Sequence, residues 1–170
     1  RKDRAMGCFK ILNLLIIRSS IILRLAFLVA VAIPVNQSVA ETKMRPLSEA
    51  FAQEQSSSMY VYGFERCSGL FASLYARFSN YDGAQYKAIA AQLLQHSSTM
   101  SLGAILMAEK AGLNLTMEKT TEKSLSIAKR YSSLMDDYYE ATGNSISPFV
   151  DADQSICMEL VKALNQNLGQ

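Results

Sequence analysis

A single histidine, His96, stands in the whole chain, and there is no tryptophan. One imidazole excludes every centre that needs two. The three cysteines, Cys8, Cys67 and Cys157, are so far apart that neither zinc-type spacing nor a Cys-x-x-Cys redox pair is present. Covalent haem attachment, a glycine-rich phosphate loop and a Glu-x-x-His pair for a carboxylate di-iron centre are missing as well. No stretch alternates apolar and polar residues cleanly enough for a strand. Acidic residues are absent between Asp3 and Glu41, although 15 occur in the chain. That last gap carries the most information.

Within it, Lys10, Arg18 and Arg24 punctuate an otherwise apolar run. The segment Leu25–Ile33 is followed by the helix breaker Pro34. Ser38 and Ala40 then stand at the minus-three and minus-one positions of a cleavage after Ala40. A basic start, a short apolar stretch and a small-x-small exit are the parts of a secretory signal. Residues 1–40 are therefore expected to be a signal peptide, with a retained membrane anchor as the alternative. A bilayer core needs roughly 20 mostly apolar residues. Against an anchor, Arg18 and Arg24 would each cost about 2.5–3.5 kcal/mol near the bilayer centre. Met6-Gly-Cys8 fails as an acylation start, because Ile11 stands where Ser or Thr is required. The protein is expected to be exported, to the periplasm or the cell exterior.

Removing residues 1–40 changes the charge balance. The full chain holds 17 basic and 15 acidic residues, +2, whereas residues 41–170 hold 11 and 14, or −3. No basic patch with interleaved aromatics remains, so nucleic-acid binding loses its electrostatic basis. Residues 41–170 suffice for one domain with its own core and are short for two. Cys67 and Cys157 stay in this part. Two cysteines in an exported chain are expected to pair as a structural disulfide. A loop that long would stabilise the fold by about 4–5 kcal/mol.

Four helices can be read after a tether at 41–58, which contains Pro46, Ser56-Ser-Ser58 and room for a short helix at 47–55. Ser58 is the expected N-cap of the first main helix. There Tyr60, Phe64, Cys67, Phe71, Leu74 and Phe78 recur at alternating spacings of four and three, the seam of helix-on-helix packing. Gly63 and Gly69 inside it imply close helix approach or a local irregularity. Asp82 with Gln85 reads as a capping box opening the second helix. Its stripe runs Tyr86, Ala90, Leu93, Ser97, Met100, Ala104, Met107 and Ala111, with Gly103 as a possible bend and Gly112 as the stop. Thr116 opens the third helix, whose face carries Leu125, Ile127, Ala128, Tyr131, Leu134, Met135 and Tyr138 up to Gly143. Asp151 with Gln154 reads as the cap of the last, which carries Ile156, Cys157, Leu160, Val161, Leu164 and Leu168. The expected fold is all-α, an antiparallel four-helix bundle over residues 59–170, with Cys67 and Cys157 tying its first helix to its fourth.

Candidate chemistry is thin. His96 with Met100 and Met107 could form a soft patch for Cu(I), or His96 and a methionine from another helix could be axial ligands of non-covalent haem. Methionine filling an irregular core is the plainer account. Asp136 and Glu140 share a face and could hold a cation or act as acid and base, although a solvated acidic face is the ordinary explanation. Asp151-x-Asp153-x-Ser155 imitates a calcium loop but has Ile156 where glycine and Lys162 where glutamate is required, so the aspartates read as helix-start residues. Tyr60, Tyr62, Tyr138 and Tyr139 suit an interface. Asn114-Leu-Thr116 is a glycosylation sequon in a eukaryotic secretory route. No catalytic set, metal site or cofactor site is assigned. The expected role is a non-catalytic binding or structural accessory protein of the cell envelope with a protein partner, and the alternative is a His/Met-ligated haem or copper carrier.

Overall fold

The computed structural model describes residues 44–168. The signal peptide or membrane anchor expected at residues 1–40, with the expected cleavage after Ala40, lies outside the described residues. Among those described there are five helices and no strand: α1 (Leu47–Gln53), α2 (Ser57–Ser79), α3 (Ala84–Lys110), α4 (Met117–Thr142) and α5 (Pro148–Leu168).

The helix ends show where local signals succeed and fail. Thr116 caps α4 as expected, its hydroxyl accepting from the Lys119 amide at 3.3 Å, and Gly143 ends that helix in a left-handed conformation (φ 75°). Three caps move. Ser56, not Ser58, accepts from the Met59 amide and starts α2 two residues early. The Asp82 capping box does not form, because Gly83 at φ 123° takes the cap position and leaves Asp82 outside α3. In α5 the helix begins at Pro148, whose fixed φ suits the first helical position. The Ser147 hydroxyl there accepts from the Val150 amide at 3.2 Å, so Asp151 lies in the first turn.

The seam read on α2 is the centre of the molecule. Cys67, Leu70 and Phe71 are fully buried, and residues 63–71 are buried without a break, which no one-sided amphipathic helix would show. Neighbours therefore surround α2. It packs most extensively on α3, then on α4, and also meets α1 and α5. Leu93, Met100 and Ala104 of α3, with Ile127, Tyr131 and Met135 of α4, complete the core with Val150, Cys157 and Val161 of α5. Leu125, expected on the buried face of α4, is instead 55% exposed.

Glycine marks the closest approaches. A Cβ on Gly69 would stand 2.6 Å from Ile127 Cγ2 and 2.8 Å from the Ser124 carbonyl oxygen, so α4 lies directly against the α2 backbone. Gly103 does not interrupt α3; a Cβ there would stand 2.6 Å from Leu164 Cδ1 of α5. Cys67 and Cys157 form a disulfide between α2 and α5, with Cα atoms 5.3 Å apart. Residues 41–58 include α1, which is docked: Leu47 is fully buried and its amide donates to Asp153 Oδ1 at 2.7 Å.

Candidate functional site

The densest chemistry in the described residues is a buried cluster one residue from the disulfide. Arg66 precedes Cys67 on α2, and Asp153 lies one turn before Cys157 on α5. Their side chains are 1% and 0% exposed and form an ion pair. Tyr131 of α4, also fully buried, accepts from Arg66 Nε at 2.8 Å and donates its own proton to Asp153 Oδ2. Tyr62 accepts from Arg66 Nη1 at 3.3 Å. The guanidinium carbon lies 6.0 Å from the Tyr62 ring centre, 5.8 Å from that of Tyr131 and 5.5 Å from that of Phe149. An aromatic box thus surrounds a cation whose donors are taken by a carboxylate and two hydroxyls.

Electrostatics follow from this enclosure. Burial alone would lower the Arg66 pKa, but the Tyr131 and Asp153 oxygens outweigh it and hold the guanidinium above its ordinary value. Burial drives the Tyr131 hydroxyl far above the usual tyrosine range, against the opposing pull of Arg66. Asp153 accepts from α1, α2 and α4 while sitting on α5. Neither carboxylate nor guanidinium faces solvent, so the cluster joins four helices and presents nothing to a substrate. Sequence reasoning missed it. Its one local signal was Glu65-Arg66 embedded in the apolar seam of α2 between Phe64 and Cys67.

Other buried polar groups on α2 face its neighbours. Glu65 is 3% exposed and pairs with Lys123 of α4 at 3.3 Å. Ser68 bonds the hydroxyls of Ser97 at 3.2 Å and Ser101 at 2.8 Å, stitching α2 to α3. The Ser124 hydroxyl is buried without a partner.

The residues singled out from the sequence are dispersed. His96 is half-buried, its ring 5.3 Å from that of Phe71, while Met100 is fully buried in the core and Met107 packs at its edge. Asp136 pairs with Arg77 of α2, and Glu140 is exposed. Asp151 is exposed, whereas Asp153 belongs to the buried cluster rather than to a helix start. Tyr60, Tyr62 and Tyr138 are half-buried and Tyr139 is 53% exposed. Asn114 is exposed in the loop before α4. Among the described residues no three His, Cys, Asp or Glu side chains are grouped to hold a metal ion.

Two surfaces remain. An open groove of about 510 Å³ between α2 and α4 is lined largely by small side chains such as Ala72, Ala76 and Ser132. The second is α3, which has no Asp, Glu, Lys or Arg between Lys87 and Glu109. On its outer side Leu94, Leu102 and Leu106 are 48%, 51% and 41% exposed. Ser98 and Thr99 turn their hydroxyls back onto the carbonyls of Leu94 and Gln95, at 3.0 Å each, which leaves that surface with few free polar groups. No described helix is long and apolar enough to cross a membrane. No family model, no curated protein and no solved structure matches this chain.

Proposed function

We propose that the chain is an exported, non-catalytic helical protein that binds a protein partner in the cell envelope, with α2 to α5 arranged as an antiparallel four-helix bundle. The observation that carries the binding role is the outer face of α3. Solvent-facing helix surfaces are ordinarily charged, and this one exposes leucines along a stretch without a single Asp, Glu, Lys or Arg. Exposed apolar patches of this kind mark interaction surfaces.

Two features support the compartment. The N-terminal forty residues have the organisation of a secretory signal, and a disulfide persists where the surroundings are oxidising. A non-catalytic role is favoured by the way the reactive groups are used. Arg66, Tyr131 and Asp153 are sealed inside the fold, the cysteines are joined, and Asp136 is held by Arg77.

Capture of the tagged protein from its own envelope extract should recover a companion in stoichiometric amount, and Leu102→Glu should release it. Retention of the same companion by Leu102→Glu, or recovery of the tagged chain with neither another protein nor an untagged copy of itself, would reject α3 as the binding face.

A further inference from the structure

We infer that the partner surface for α3 is the same helix of a second copy, laid antiparallel across a twofold axis at Ser98. The inference rests on the reading of α3 as the binding face and commits that face to one occupant.

The spacing of residues on the helix carries it. Starting from Lys87, positions 91, 94, 98, 102, 105 and 109 follow at steps of three and four, which places them along one side of α3. All are exposed except Ile105, which is half-buried. The stripe is palindromic in character about Ser98. Leu94 and Leu102 stand equally far from it on either side, as do Ala91 and Ile105, and as do Lys87 and Glu109.

In an antiparallel pair each residue before Ser98 meets its counterpart after Ser98 in the other copy. Leucine then meets leucine, alanine meets isoleucine, and Lys87 of each copy meets Glu109 of the other. A twofold interface makes every such contact twice, so one sequence stripe supplies two leucine pairs and two opposite-charge pairs. A parallel pair would set Lys87 on Lys87 and Glu109 on Glu109. Neither residue makes an ion pair within the chain among the described residues. At the crossing point, Ser98 is small and its hydroxyl is bonded to the Leu94 carbonyl, so two helix axes can approach there without stranding a polar group. From Lys87 to Glu109 the stripe spans about 33 Å of helix.

The test is sedimentation equilibrium of the purified protein with charge-reversed variants. The protein should dimerise. Lys87→Glu alone, and Glu109→Lys alone, should each weaken the dimer roughly tenfold by setting like charges at both ends. The double variant should restore it. Circular dichroism should show unchanged helix content in all three, since both side chains are exposed. In addition Ser98→Cys should oxidise to a covalent dimer. A monomer at every concentration, or a dimer indifferent to both single reversals, would overturn the twofold arrangement. A monomer that still retains another companion, lost on Leu102→Glu, rejects the second copy while leaving α3 as the binding face. A monomer without any companion rejects both.

Discussion

Arg66 is the residue whose environment constrains the protein most tightly. A guanidinium removed from water costs several kcal/mol unless its donors are satisfied, and breaking a buried pair from one side typically costs about 3–5 kcal/mol. Asp153→Ala should therefore destabilise the fold by about 3–5 kcal/mol in urea titrations. Asp153→Leu combined with Arg66→Met should recover much of that loss, because the uncompensated charge is gone. If the double variant is as unstable as Asp153→Ala, the hydrogen bonds to Tyr131 and Leu47, not the charge pair, hold the site. Tyr131 adds a pH dependence. Its folded pKa is raised, so its contribution is fully present below the unfolded value of about 10 and is lost as pH rises above that. Stability of the native protein should fall more steeply in alkali than that of Tyr131→Phe, measured as urea midpoints from neutral pH upward. Parallel curves would mean that Tyr131 ionises freely inside the fold.

At the scale of helices, periodicity is the legible part. The spacing Phe64, Cys67, Phe71 and Leu74 identifies α2 and its seam because apolar burial repeats along the chain itself. Gly69 is legible too, as a break in propensity that only close packing justifies. It yields a prediction of sign. Alanine ordinarily stabilises a helix interior relative to glycine by about 1 kcal/mol. Here the added methyl meets Ile127 and the backbone of α4, and overpacking of this kind costs about 1–3 kcal/mol. Gly69→Ala should lower the melting temperature, and a rise would show that α2 and α4 separate easily. What the sequence conceals is partnership across distance. Asp153 looks like a helix-start residue because its counter-ion is 87 positions away, and no local pattern encodes that pairing. Caps fail for a related reason. Asp82 and Gln85 have the right spacing for a capping box, yet the backbone turn at Gly83 decides where α3 begins. Three successive serines at 56–58 offer equivalent caps, and the burial of Met59 goes with the first of them. The uncharged outer face of α3 was readable in the residues, but its exposure required knowing which side α2 covers.

For the whole molecule, the disulfide and the ion pair act on the same two helices. Cys67→Ser, Cys157→Ser and the double variant should each lose about 2–5 kcal/mol, and by similar amounts, since any one removes the whole covalent link. Additive losses would mean that the two sulfurs contribute as separate buried groups. Helix content at low temperature should persist in all three, because the apolar seam of α2 does not depend on the bridge. Intact mass measured on protein from its own compartment should begin at Glu41 and lie two hydrogens below the reduced chain. A longer N-terminus would favour a retained anchor.

The placement of these two links also sets a timetable for synthesis. Cys67 emerges from the ribosome 90 residues ahead of Cys157, an interval of about 5–18 s at ordinary rates of elongation. Throughout it Arg66 has no counter-ion and Cys67 no proper mate, because both arrive on α5, which is made after the other four described helices. The nascent chain must therefore keep a thiol and a cation out of wrong attachments until α5 appears. A message truncated before Asp153 would yield a polypeptide with every seam residue of α2 and no means of closing around it.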